Sequence, residues 1–160
     1  MKAPTGLIVG RFDPPHLGHS FMIESAAGQC DELVVFVNSS AARDTAPGDL
    51  RAAWLAELHP DVTVVEVRHE LPTDFDDPDL WIRWMALFRE RWPLHDGPHV
   101  VFSSDPYVDE LAERFGAEAV IVDADRTTVP ISATQIRTAP GEHLDQLAPV
   151  VREWVEANWV

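Results

Sequence analysis

His16 and His19 stand three residues apart in GRFDPPHLGHSFMIESA, and that spacing decides what they can do together. Where a loop turns into a helix, residues three apart share a face, so both imidazoles can meet one ligand. Gly10 and Gly18 let the backbone come close to that ligand, and Pro14 and Pro15 stiffen the turn. The stretch lies between an apolar run, Leu7 to Val9, and a stripe of Phe21, Met22, Ile23, Ala26 and Ala27 at helical spacing. Strand, tight loop and helix place backbone N–H groups and the positive end of a helix beneath an anion. Phosphate is therefore the expected ligand. Two histidines are too few for a zinc site, and no further ligand cluster has suitable spacing. A second group of anion-binding types is ISATQIR, Ile131 to Arg137. Ser132 suits an N-cap, and Thr134 and Arg137 fall on one side of the short helix that follows. Hydroxyls and a guanidinium gathered there can hold a polyphosphate, although in isolation the stretch also reads as a capped surface helix.

Five β-branched, apolar runs surround these motifs: GLIVG, Leu33 to Asn38, Val62 to Val67, His99 to Ser103, and Ala119 to Asp123. Helical patterns at roughly 18–29, 49–58, 79–91, 107–115 and 144–158 separate or follow them. Near-continuous apolar strands alternating with helices predict an α/β, Rossmann-like, doubly wound parallel five-stranded sheet with helices on both faces. In such sheets ligands sit at the carboxyl ends of the strands, where the first motif lies. No repeat or linker interrupts the chain, and 160 residues are read as a single domain, 1–160.

Charge narrows the partners. A formal net charge of −15 argues against a nucleic-acid partner, which needs a basic surface. Phosphorylated substrates must then be met by the few cations gathered locally. Lys2 is the sole lysine, and Cys30, the only cysteine, can form neither an intrachain disulfide nor a cysteine cluster. No run is long enough to span a membrane or to serve as a signal peptide, so a cytoplasmic location is expected.

Taken together, GRFDPPHLGH after the first strand and ISATQIR after the fifth resemble the paired signatures, HxGH and ISxTxxR, of the nucleotidyltransferase superfamily. The resemblance covers nearly the whole chain. GRF-x-P-x-HxGH is similar to the nicotinamide-mononucleotide adenylyltransferases, in particular the archaeal enzymes and the adenylyltransferase domain of NadR-type proteins. ARDTAPGDLRAAWL, LWIRWMALF and FSSDPYVDELAERFGAEAVIVDADRTTVPISATQIR fit as well. That resemblance implies transfer of AMP from ATP to nicotinamide mononucleotide, with Mg²⁺ carried on the ATP. It implies that His16, His19 and Arg137 contact the triphosphate, with Gly10, Arg11, Phe12, Gly18, Ser132, Thr134, Arg126 and Asp105 completing the ATP site. Trp81 matches the tryptophan that stacks on the nicotinamide ring; Arg43, Arg51 and Asn38 complete the mononucleotide side. Arg11 reads equally as a phosphate contact or as an ion-pair partner of Asp13. Ser103, Ser104, Asp105 and Tyr107 read either as adenosine contacts or as a capped helix start. Trp84, Phe88 and Trp92 are assigned to core packing, and His59, His69, His95, His99 and His143 to no site. FDPPH also occurs in nicotinate-mononucleotide enzymes, and phosphopantetheine enzymes share this length, so both acceptors stay open. A cytidylyltransferase and a non-catalytic nucleotide sensor remain as alternatives. Without GxxxxGK[ST], the kinase activity of NadR-type proteins is not expected. Relatives range from monomers to hexamers, which leaves a homo-oligomer open.

Overall fold

The computed structural model describes residues 2–123 and 128–160. Five parallel strands form one sheet in the order β3-β2-β1-β4-β5. They are β1 (Ala3–Gly10), β2 (Cys30–Ser39), β3 (Thr63–Arg68), β4 (Val100–Ser103) and β5 (Glu118–Ile121). The helices are α1 (Leu17–Ala27), α2 (Gly48–Leu58), α3 (Pro78–Arg91), α4 (Val108–Phe115), α5 (Ala133–Thr138) and α6 (Pro149–Asn158). The order reverses between β1 and β4, which creates the crevice at their carboxyl ends where open α/β sheets bind ligands.

Alternation along the strands sends residues to two cores. Leu7, Val9, Val34, Phe36 and Val67 face α3 and α4, together with Trp81, Met85, Phe88 and Leu111. Ile8, Val35, Val37 and Phe102 face the other way, against Met22, Ile23 and Ala26 of α1 and Leu55 of α2. A third cluster joins Trp54 of α2 to Ile136 of α5 and Val151 and Val155 of α6. The α5 helix, which carries Arg137, is anchored there.

Several element ends shift by one to a few residues, and two of the shifts have a plain physical reason. The strand read as Leu7 to Val9 begins at Ala3, because its amino-terminal half pairs with β2 from Ala3↔Cys30 onward. The helix expected over 144–158 is divided: Leu144–Gln146 is a 3-10 turn, Leu147 and Ala148 are extended, and α6 starts at Pro149. Proline lacks the N–H that a continuous helix would use there but suits a first helical position.

The loops at the carboxyl edge are fastened by two buried charged side chains. Asp13 is wholly buried; its Oδ1 accepts from the Ala46 N–H and its Oδ2 from the Thr45 N–H, each at 2.8 Å. The β1–α1 loop is thereby tied to the β2–α2 loop. Arg51 is also wholly buried, which overturns its expected role as a mononucleotide contact. Its Nη2 lies 2.6 Å from Oδ2 of Asp44, its Nε donates to the Ala46 carbonyl at 2.9 Å, and its Nη1 donates to the carbonyls of Arg11 and Asn38. Every arm of this guanidinium points at the scaffold, joining the ends of β1 and β2 to the loop between them. A sequence gives no means of telling such an arginine from one that meets substrate, since both need a loop near the sheet edge.

Removing one partner of a buried pair leaves the other charge uncompensated. Arg51→Met is expected to lower unfolding stability by about 3–5 kcal/mol, measured by urea denaturation, and Asp44→Asn in the same chain to recover part of that loss. Unchanged stability in Arg51→Met would show that the guanidinium holds nothing together.

Candidate active site

The histidine pair is built into the first turn of α1. His16 is the N-cap, in extended backbone, and its Nδ1 accepts from the Gly18 N–H at 3.0 Å and the His19 N–H at 3.3 Å. His19 reciprocates: its Nδ1 accepts from the His16 N–H at 3.1 Å. This is a capping box in which imidazoles stand in for the usual hydroxyl and carboxamide. The two rings stack at 3.6 Å with 18° between their planes, and Phe12 meets His19 edge-on at 4.8 Å. A Cβ on Gly18 would come within 2.9 Å of His16 Cε1, so only glycine admits the capping ring. Phe12 holds a left-handed backbone (φ 51°), a conformation that disfavours a residue with a Cβ. Burial of its ring compensates.

Capping fixes the tautomer. A ring nitrogen that accepts N–H bonds carries no proton, so in both imidazoles the proton sits on Nε2. Each ring is a neutral Nε2–H donor while the cap is intact. A proton on Nδ1 would displace the backbone donors of the helix start.

Arg137 reaches the same wall from the far end of the chain. Its Nη1 donates to the Asp13 carbonyl at 2.5 Å and its Nη2 to Thr134 Oγ1 at 3.2 Å. Desolvation lowers the pKa of Arg137, with Arg11 acting in the same direction and Asp13 in the opposite one; the group remains a cation. Ser132 caps α5, its Oγ accepting from the Gln135 N–H at 3.2 Å. Arg11 proves to be Asp13's ion-pair partner, at 3.4 Å, and donates to the Arg43 carbonyl at 2.7 Å, yet it also lines the cleft.

These groups border a cleft of about 390 Å³. It is lined by Gly10, Arg11, Phe12, His16, Gly18, His19, Asn38, Arg43, Trp81, Asp105, Ser132, Thr134 and Arg137, all expected from the sequence. Arg51 is absent from the lining, and Arg126 lies outside the described residues.

Aromatic side chains line the same cleft. Trp81 is only 7% exposed; its Nε1 donates to the Phe75 carbonyl at 2.9 Å, and Arg114 lies over its ring, 5.2 Å from the centroid. Much of that indole is therefore already engaged within the protein. Phe75 is 56% exposed and lies parallel to Tyr107 at 5.6 Å. The Tyr107 hydroxyl donates to the Val9 carbonyl at 2.8 Å, and burial pushes its pKa up to about 12, so it stays a donor. Trp84 and Phe88, which sequence reasoning gave to the core alone, both line the cleft as well as packing inward. His69, which the sequence assigned to no site, lines the cleft too, together with Thr73, Asp74 and Phe75, none of which was given a role by itself. The signal that could have found them is positional: LPTDFDDPD connects the carboxyl end of β3 to α3, at the edge where ligands bind. Ser103 Oγ accepts from the Asp105 N–H at 3.1 Å and the Ser104 hydroxyl donates to the Val122 carbonyl at 2.7 Å, so both serve the turn before α4.

Among the described residues no group of three or more His, Cys, Asp or Glu is arranged to hold a metal ion. Both Asp13 oxygens are taken by backbone N–H groups, and the donors on this wall are N–H and hydroxyl. Such a set suits phosphate oxygens rather than a cation. No helix among the described residues is long and apolar enough to cross a membrane.

Comparison with known proteins agrees with this geometry. The family described as cytidylyltransferase-like matches residues 7–139. The trifunctional NAD biosynthesis/regulator protein NadR of Escherichia coli is 26% identical over 94% of this chain, which spans 40% of that protein's length. Nicotinamide-nucleotide adenylyltransferase of Aeropyrum pernix is 31% identical over 94% of this chain and 89% of its own. A crystal structure of NadR in complex with NAD and AMP-PNP superposes with a TM-score of 0.65 at 26% identity, over 89% of this chain and 44% of that one. The chain belongs to the cytidylyltransferase-like family.

Proposed function

We propose that this protein transfers the AMP moiety of ATP to nicotinamide mononucleotide, forming NAD⁺ and pyrophosphate. The observation that carries this reading is the union, in one cleft, of two Nε2–H imidazoles and the Arg137 guanidinium with the aromatic side chains of Phe75, Trp81 and Trp84. The names of the relatives from Aeropyrum pernix and Escherichia coli support the acceptor and the dinucleotide product.

The chemistry needs no protein nucleophile. An oxygen of the mononucleotide 5′-phosphate attacks the α-phosphorus of ATP in line. The bond to the bridging oxygen breaks, and its electron pair leaves on pyrophosphate. Catalysis then consists of holding the two phosphates in line and stabilising the charge that builds on the α-phosphoryl and the leaving group. His16 and His19 donate through Nε2–H to the α-phosphate and the bridging oxygen. Arg137 clamps the outer phosphates, with Thr134 beside it. Gly10 and Gly18 leave room for the Phe12 and His16 rings at the floor of the cleft, which keeps the histidine pair in place. Against a chain of net charge −15, Arg11, Arg43 and Arg137 supply the local cationic field. The residues here would leave a divalent cation such as Mg²⁺ to arrive on the ATP, where it would supply charge neutralisation between the two anionic substrates. The pyridinium ring, itself a cation, suits the π faces of Phe75, Trp81 and Trp84, with Asp74 and Asp105 also at the cleft. A cytoplasmic location, where ATP and the mononucleotide meet, completes the reading.

The direct test offers ATP and Mg²⁺ with nicotinamide mononucleotide, nicotinate mononucleotide or phosphopantetheine and follows pyrophosphate. Preferential release with the first is expected. Preference for another acceptor would keep the phosphate chemistry and replace the substrate, and binding of nucleotide without release would make the protein a sensor.

His19→Asn leaves an oxygen able to accept the His16 N–H, so α1 keeps its cap, but removes the Nε2–H donor. Its kcat is expected to fall about 10²-fold or more, with a modest change in KM for the mononucleotide, in steady-state assays. An unchanged kcat would remove the histidine pair from the reaction.

A further inference from the structure

We infer that His69 and Asn38 form a paired donor and acceptor that reads the carboxamide of the acceptor's pyridine ring and so selects the amide over the corresponding acid. This inference rests on the proposed adenylyl transfer to a pyridine mononucleotide and deepens it.

Register puts the two residues together. Asn38 at the end of β2 pairs with Val67 of β3, so their side chains share a sheet face. His69 follows Val67 by one pleat and is held by its own N–H to the Ser39 carbonyl at 2.9 Å. That face is the one covered by α3, and both residues line the cleft beside Trp84.

Their hydrogen-bonding states are complementary. His69 Nδ1 accepts from the Leu71 N–H at 3.1 Å, which leaves the ring proton on Nε2. Trp84 meets this ring nearly edge-to-face at 4.3 Å and fixes its plane, while the Trp84 Nε1 is itself held by the Pro72 carbonyl at 2.9 Å. Burial lowers the pKa of His69; Glu70 and Asp44 oppose that shift and Arg43 adds to it. The ring is a neutral donor near pH 7. Asn38 supplies the other half: its Oδ1 is buried without a donor among the described residues. An orphaned buried acceptor costs free energy until something donates to it. The broad χ2 torsion of asparagine lets that oxygen turn toward a donor in the cleft.

A carboxamide satisfies both groups at once. Its oxygen accepts the His69 Nε2–H, and its NH₂ donates to Asn38 Oδ1. A carboxylate has no hydrogen to give, so Asn38 Oδ1 would stay unpaired. The acid would also bring a negative charge beside Asp44 and Asp74, while the nearby cation, Arg43, already donates through Nη1 to Thr73 Oγ1 at 2.9 Å. Sites that leave a buried polar group unpaired by the wrong substrate discriminate strongly.

The test measures kcat and KM of the full chain with nicotinamide mononucleotide and nicotinate mononucleotide, for the wild type, His69→Phe, Asn38→Leu and His69→Arg. His69→Phe and Asn38→Leu are each expected to lower kcat/KM for the amide about tenfold, the loss carried by KM, with a smaller change for the acid. His69→Arg is expected to shift the ratio about tenfold toward the acid, by supplying a charged donor to a carboxylate. A purely structural role for these residues would move both acceptors equally. Equal losses, or a preference unchanged in His69→Arg, overturn the inference. If a substitution at 69 prevents folding, as judged by circular dichroism, Asn38→Leu decides by the same ratio. A wild-type chain that makes neither dinucleotide overturns the proposed function itself, before any variant is compared.

Discussion

The buried carboxylate of Asp13 is the contact on which the site depends. It accepts main-chain N–H groups from the β2–α2 loop, and its own carbonyl accepts the guanidinium of Arg137. One residue between the first strand and the first helix therefore sets the distance to a loop more than thirty residues on and to a helix near the carboxyl end. Desolvating a carboxylate is costly, and here the cost is offset by two short bonds to fixed backbone donors and by Arg11 at 3.4 Å. Arg51 performs the converse task with donors, gathering carbonyls from β1, β2 and the loop between them. Carboxylate and guanidinium together make the carboxyl edge of the sheet a rigid frame.

On that frame the histidines serve two purposes with two nitrogens. Nδ1 satisfies backbone donors that every helix start leaves over, and that bond sets the ring proton on Nε2. The tautomer that caps the helix is thus the one the proposed reaction calls for, with its donors set before charge develops. Preorganisation of this kind is what an in-line phosphoryl transfer asks of a protein.

Much of this was legible in the residues. Near-continuous apolar strands gave the parallel sheet, and HLGH and ISATQIR, lying after the first and fifth strands, marked residues that meet at one cleft. Legibility ended where a side chain's direction depends on tertiary contacts. Arg51 and Arg43 look alike in ARDTAPGDLR, but one is buried among carbonyls and the other borders the cleft. Trp81 and Trp84 lie on one helical stripe. Tertiary contacts alone show that the Trp81 indole is engaged by the Phe75 carbonyl and by Arg114 of α4, and that Trp84 meets His69, while both rings border the cleft. His69 was passed over because a lone histidine after a strand carries no spacing signal. Its meaning comes from Asn38 on the neighbouring strand, a relation set by register.

The measurement that tests this account most directly is a crystal structure of the chain with nicotinamide mononucleotide and the uncleavable α,β-methylene ATP. The triphosphate is expected along His16, His19 and Arg137, with the pyridine ring against the aromatic side chains and the two reacting phosphates in line between them. A triphosphate bound away from the histidine pair, or a mononucleotide outside this cleft, would contradict it.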